Sequence, residues 1–258
     1  MQIMAMDESY LKSLAAYRDR GNYREEFVNA LSKIFTDAKL GGVRSCLAIG
    51  PGDGWYEIEF IKHSGANVSK FIGIEPDHAS AEHLRTSLRS SLPGVESQVL
   101  ETKVQNWEGP GVPVHLITMF QLLHFVPADE RQEFLKKVHD SWLAVGGYVA
   151  VLTPSRTKIP GTASVILQRL GASVPAWEDT EADFQKTGFN KYYEHEMHVR
   201  IYLTNPDENL KRFYQLTCAL QHKGPITLAD LSDAMKGGPF SEGKVDVFSM
   251  MAIFKSTN

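Results

Sequence analysis

Cysteine is nearly absent. Only Cys46 and Cys218 occur in 258 residues, so a small disulfide-stapled scaffold is excluded, and each thiol is expected buried and reduced, one in a strand and one in a helix. Long apolar runs are missing too: nothing nears the ~20 residues of a membrane span. Neither charge sign dominates. Against 27 Lys and Arg stand 31 Asp and Glu, a formal net charge of −4, which gives no electrostatic footprint for nucleic acid. The nine histidines are scattered, so no zinc or iron site is expected. There is no repeat, low-complexity tract or Pro/Ser/Gly linker, and 1–258 is therefore taken as one domain. The opening "MQIMAMDESY" is too short and too soon acidic for a signal peptide. With the reduced thiols, this points to a cytoplasmic protein. Its expected partners are small molecules, not nucleic acid or membrane.

What is present is an ordinary globular balance, 43% hydrophobic and 22% charged. Tyr10, Leu14 and Tyr17 recur at helical spacing, as do Phe27, Leu31 and Ile34, with Gly21-Asn22 as a break. "RSCLAI", "KFIGIE", "VESQVLE", "VHLITMF" and "YVAVLT" read as strands. Between them, "WYEIEFIKH" and "PDHASAEHLRTSLRSSL" read as helices, the second capped by Asp77. "PADERQEFLKKVHDSWL" reads as a helix stopped by Gly146-Gly147. Residues 44–153 thus alternate strand and helix, which predicts a mainly parallel sheet covered on both faces. Further on, "EADFQKTGF" is a candidate helix and "KYYEHEMHVRIYL" extended chain. "NPDENLKRFYQLTCAL" is a capped amphipathic helix, "TLADLSDAM" a short one with a partial capping box, and "KVDVFSMMAIFK" a closing strand.

The sharpest feature is "AIGPGDG", with Gly50, Gly52 and Gly54 at the end of the first strand. Glycine permits positive φ and close approach of a ligand to the backbone. The helix beyond offers free N–H groups. The spacing is Gly-x-Gly-x-Gly, not the Gly-x-Gly-x-x-Gly of dinucleotide folds, and no Lys-Ser/Thr of a P-loop follows. Glu75 ends the second strand about 20 residues on, the distance at which an acid reaches a ribose diol. Two roles stand open for Glu75: binding that diol, or capping the helix that begins near Asp77. Asp53, inside the turn, is a turn-type residue.

With "IEP", "ITMFQLLHFV", "TNPDENLKRFYQLTC" and "EGKVDVFSMMAIF" added, the chain resembles class I S-adenosylmethionine (SAM) methyltransferases, and within them the histamine N-methyltransferase family. That resemblance implies a Rossmann-like α/β sheet of seven strands, the last antiparallel. It also implies a helical lid over 1–40, a SAM-binding core over 41–153 and acceptor-side elements over 154–258. It implies a monomer, SAM as cofactor, and methyl transfer to a small-molecule amine or ring nitrogen. Gly50, Pro51, Gly52 and Gly54 would lie under the methionine part of SAM, Glu75 would bind the ribose hydroxyls, Pro76 and Ser80 would also contact the cofactor, and Phe120 would lie against it. Arg24 would serve the SAM carboxylate. Gln121 and His124 would be the catalytic pair, with Tyr10, Tyr17, Tyr23, Phe125 and Ser249 completing the acceptor site.

The acceptor half departs from the family pattern. The acid of the second helix falls on Tyr23, the C-terminal asparagine on Ser249, and the tryptophans after the fifth strand are missing. Histamine is therefore expected to be a poorer substrate than the family pattern implies, while methyl transfer itself is still expected. On the cofactor side one departure is present as well: many class I enzymes carry an acid two residues before the first glycine, where this chain has Ala48. Two readings remain beside methyl transfer: an NAD-dependent oxidoreductase on a similar sheet, and a non-catalytic relative that binds SAM or an amine.

Overall fold

The computed structural model describes residues 8–123, 126, 128–155, 162–171, 176–202, 226–237 and 243–257. The helix expected over 205–220, Cys218, His124 and Phe125 lie outside the described residues.

The chain begins with helices α1 (Glu8–Asp19) and α2 (Tyr23–Asp37). It then alternates β1 (Ser45–Ile49), α3 (Trp55–His63), β2 (Lys70–Ile74), α4 (His78–Ser91), β3 (Glu96–Leu100) and β4 (Val114–Phe120). After α5 (Ala128–Lys137) come β5 (Leu143–Pro154), α6 (Ala163–Arg169), α7 (Trp177–Lys186), β6 (Phe189–Tyr202), α8 (Leu228–Ala234) and β7 (Lys244–Ser256). The sheet order is β3-β2-β1-β4-β5-β7-β6. β1 to β5 are mutually parallel where they pair, and β7 runs antiparallel to both β5 and β6. The seven-stranded sheet with an antiparallel closing strand, expected above, is the one observed.

Alternation along the strands separates two cores. Cys46 and Ala48 of β1 face a cluster with α2, α3, α4, α6 and α8, while Leu47 and Ile49 face one with Trp142 and α7. Cys46 is a free, fully buried thiol, as read from the sequence. Among the described residues no helix is long and apolar enough to cross a membrane.

One boundary differs from expectation. Gly146-Gly147 do not stop α5. The helix ends at Lys137 and passes through a π-turn, Val138–Trp142, and the strand has already begun at Leu143. The glycines instead let the strand bulge: Val114 pairs with Leu143 but Leu116 with Tyr148, and Gly146 takes φ 69°. α7 starts earlier than "EADFQKTGF" suggested, at Trp177, and α6 adds a helix for which no pattern was read in the sequence.

The first two helices are tied to the far edge of the sheet. The Tyr202 N–H donates to the Arg20 carbonyl (2.8 Å), and the Arg200 N–H to Asn22 Oδ1 (2.7 Å). α2 buries Tyr23, Phe27, Ala30, Leu31 and Ile34. A Cβ on Gly21 would fall 1.8 Å from the Arg200 carbonyl oxygen, a backbone atom. Gly21→Ala is therefore expected to cost about 1–3 kcal/mol of stability. A denaturant midpoint equal to wild type would show that this approach is not required.

Candidate functional site

Strand order reverses between β1 and β4, and open α/β sheets hold ligands in the crevice beyond the strand ends at that point. Three chain exits meet there: the glycine turn after β1, Glu75 after β2, and Gln121 after β4.

The glycine turn is fastened to β2 by the Gly50 N–H, which donates to the Ile74 carbonyl at 2.9 Å. Gly50, Gly52 and Gly54 have φ of 62°, 58° and 76°. At Gly54, the residue that caps α3, a Cβ would sit 2.2 Å from Leu84 Cδ1, while at Gly52 it would meet nothing within 4 Å. Gly54 thus serves the packing of α3 on α4, and Gly52 leaves an open backbone surface where a ligand can rest. Pro51 between them is buried.

Glu75 is 2% exposed. Its Oε2 accepts from the Gly52 N–H (2.9 Å) and its Oε1 from the Asp77 N–H (3.0 Å). Asp77 in turn caps α4 by accepting from the Ser80 N–H at 2.8 Å. So Glu75 braces two turns, and a carboxylate with about four lone-pair positions has two left for a ligand. Burial pushes its pKa up to about 7, against the pull of the Asp77 and Gly52 N–H groups. Pro76 is exposed, and Ser80 is buried with an unpartnered hydroxyl.

Beside the turn lies a cluster of buried charge. Arg18 of α1 is 2% exposed and its Nη1 donates to both Asp53 oxygens, at 2.8 and 3.2 Å. Its guanidinium lies 4.5 Å from the Tyr56 ring centroid and 5.2 Å from that of Trp55. Burial lowers its pKa, but Tyr56 and Asp53 more than reverse this and hold it charged. Its Nε is buried without a partner. Arg24 lies outside this cluster: it is 42% exposed, pairs with Asp19 at 2.6 Å, and covers the other contact on Trp55 at 4.8 Å.

Glu57, in the first turn of α3, is 1% exposed and neither of its oxygens has a partner. Burial, with Asp53 and Glu75 nearby, raises its pKa to about 8. The native state thus keeps this proton between about pH 4.5 and 8, where the unfolded chain has lost it, so stability falls as pH rises through that window. Glu57→Gln does not titrate. Its melting temperature, relative to wild type, is expected to rise by on the order of 5 °C from pH 5 to pH 8.5. Parallel melting curves across that range would remove the buried-carboxyl account.

Beyond the end of β4, Gln121 has φ 54°, a left-handed conformation rare for a residue with a side chain. Its Nε2 donates to the Tyr23 hydroxyl (3.5 Å), which also accepts from Tyr56 (2.9 Å). Burial, then Tyr56, raise the Tyr23 pKa well above the ordinary phenol range, so Tyr23 is a neutral hydroxyl. Tyr17 packs on Tyr23 (6.3 Å between ring centroids), and Phe120 sits within an aromatic cluster with Phe27, Tyr56 and Phe60. Tyr10 is on α1, and its side chain is not described. Ser249 is fully buried on β7, opposite Pro154, with an unpartnered hydroxyl. It shares the strand-end edge with Gln121, but no hydrogen bond joins them.

The structure therefore brings together Gly50, Gly52, Gly54, Glu75, Tyr23 and Gln121. Sequence reasoning passed over Arg18, Tyr56 and Glu57. Arg18 reads as the solvated face of an amphipathic helix. The one signal for it was Asp53, an acid in a glycine turn that requires a cation once buried. Away from the crevice, His78, Glu82 and Glu101 converge on the surface, but Arg85 is paired with both glutamates, so the group is a surface ion-pair network.

No family model matches the chain, and no curated protein does. Solved structures do. The cyclopropane synthase MmaA2 of Mycobacterium tuberculosis aligns at TM-score 0.59 and 16% identity, over 97% of this chain and 95% of that one. The N-methyltransferase NodS of Bradyrhizobium japonicum aligns at 0.58 and 11%, over 93% and 99%, and has also been solved with S-adenosylhomocysteine (SAH). The [4+2]-cyclase SpnF aligns at 0.53 and 13%, over 89% and 80%. The chain thus has the Rossmann-like class I methyltransferase fold. Because a cyclase shares it, the reaction must be argued from the site.

Proposed function

We propose that the protein binds SAM at the glycine turn and transfers its methyl group to the nitrogen of a small amine or ring compound. The carrying observation is the open backbone at Gly52, held by the buried Glu75 at the strand-order reversal. The similarity to NodS, an N-methyltransferase solved with SAH, supports the reading. The residues fit the group. Glu75 has lone pairs left for the ribose hydroxyls. Arg18, with its unpartnered Nε, and Asp53 match the carboxylate and ammonium of an amino-acid tail. The glycine spacing argues against NAD.

When bound, SAM supplies an electrophilic methyl on a sulfonium, which needs little chemical assistance. The chain's part is positioning and exclusion of water. Gln121, held in its strained conformation, and the Tyr23 hydroxyl direct the acceptor. α1 covers the turn through Arg18. Tyr23 cannot offset a buried ammonium as a carboxylate does, so acceptors that are neutral, carry their own carboxylate or present a cation to aromatic faces are favoured over histamine. A monomer acting in the cytoplasm belongs to the same proposal.

Calorimetry with SAM, SAH and NAD tests the cofactor, and labelled methyl transfer over an amine panel tests the reaction. Glu75→Ala is expected to weaken SAM binding by about 1–3 kcal/mol. Unchanged affinity in that variant would count against the ribose role. NAD binding without SAM binding would sink the proposal.

A further inference from the structure

Two buried phenols meet beside Gln121. The Tyr56 hydroxyl lies 2.9 Å from that of Tyr23, and the two residues are 6% and 2% exposed. Each phenol carries one proton to donate. The pair holds two protons and makes one hydrogen bond between its members, so one O–H is left over whichever way that bond runs. Gln121 does not take it, because the amide turns its Nε2, a donor, towards Tyr23 at 3.5 Å. Among the described residues no other acceptor reaches either hydroxyl. The rings of Tyr17, Phe27 and Phe120 pack about the pair, and a buried donor without a partner is costly in such surroundings.

Gln121 holds the complementary group. Its Nε2 is engaged with Tyr23, and its Oε1 accepts no hydrogen bond from the described residues. Gln121 is half-buried and is the first residue past β4, with its N–H donating to the Leu152 carbonyl at 2.8 Å. The phenol thus lies one side chain away from the crevice at the strand-order reversal. A leftover O–H and an open amide oxygen stand side by side there. Resting on the N-methyl transfer proposed above, we infer that the methyl acceptor is a carboxylated small amine of the amino-acid kind, whose carboxylate accepts from the Tyr23 hydroxyl and whose N–H donates to Gln121 Oε1. A carboxylate takes the leftover phenol proton in a charge-assisted bond, which is stronger than a neutral one. An amine without a carboxylate, while protonated, has only donors to offer and leaves the phenol unmatched. By taking one N–H, Gln121 Oε1 fixes the direction of the nitrogen lone pair. In the transfer that lone pair makes the new N–CH3 bond, the S–CH3 electron pair stays on sulfur, and one amine proton leaves to solvent. Tyr56 is a positioning residue: its hydroxyl fills one side of the Tyr23 oxygen and so sets where the Tyr23 proton points.

The test is labelled methyl transfer from SAM by the full chain to paired acceptors: histidine with histamine, tyrosine with tyramine, tryptophan with tryptamine, and glycine with methylamine. In the best-accepted pair the carboxylated member is expected to have a kcat/KM about 10- to 100-fold above its partner. Tyr23→Phe keeps the ring and is expected to bring that ratio to within about threefold of unity, with SAM affinity within about twofold of wild type. Tyr56→Phe leaves the Tyr23 hydroxyl in place and is expected to keep the preference in weakened form. This ratio, unlike overall activity, does not move when a variant merely packs less well, and the wild-type panel decides even if Tyr23→Phe folds poorly. A wild-type ratio near unity or in favour of the amine, or an unchanged ratio in Tyr23→Phe, overturns the inference while leaving N-methyl transfer intact. SAM binding without methyl transfer to any of these acceptors overturns the proposed transfer, and this inference with it. No SAM binding overturns the cofactor assignment itself.

Discussion

Arg18→Met is expected to lower the free energy of unfolding by about 2–3 kcal/mol and to abolish measurable SAM binding. Methionine keeps the apolar stem but removes the guanidinium, stranding Asp53 and emptying the space over Tyr56 and Trp55. Breaking a buried pair by deleting one partner costs about 3–5 kcal/mol. Asp53 is 23% exposed and recovers part of its hydration, which places the estimate below that range. Denaturant unfolding of Arg18→Met, Asp53→Asn and the double variant reads the coupling, and the double variant is expected to be more stable than Arg18→Met alone. If Arg18→Met binds SAM as wild type does, α1 has no part in holding the cofactor.

Gln121→Gly is expected to separate stability from turnover. Glycine takes φ 54° without strain, so the variant should be as stable as wild type or up to about 1 kcal/mol more so. Its SAM affinity should stay within about twofold, since the amide points to Tyr23 and not to the glycine turn. Methyl transfer should nonetheless fall by about 100-fold, the scale on which misplacing a reacting group acts. Single-turnover measurements with prebound SAM would isolate that step. Full-rate transfer by Gln121→Gly would remove Gln121 from the acceptor site and leave its backbone strain without a functional account.

Much of the cofactor half was legible along the chain because it is local. A strand that must turn at once into a helix calls for glycine, and the positive φ at Gly50, Gly52 and Gly54 is the direct consequence. Glu75 was placed because a strand end is visible in sequence. Its two open roles turn out to share one side chain, which accepts from Asp77 at the start of α4 while also holding Gly52. Gly146-Gly147 misled because a glycine pair signals a break without saying of what. Only the pairing with β4 shows that the strand, not the helix, is interrupted.

By itself, then, the sequence determined the alternation of elements, the glycine turn and the acid that faces it, all set by neighbours in the chain and by side-chain periodicity. Tertiary structure alone decided which groups share the buried space above the turn. Arg18 reaches Asp53 across 35 residues, and Gln121 reaches Tyr23 across 98. Such pairings follow from how α1 and α2 dock on the sheet, through the bridge of residues 20–22 to β6, and no local pattern encodes that docking. The same holds for Glu57. An acid in the first turn of a helix ordinarily faces water, and only the packing of α3 against β1 and the charged turn removes it from solvent and leaves it without a partner.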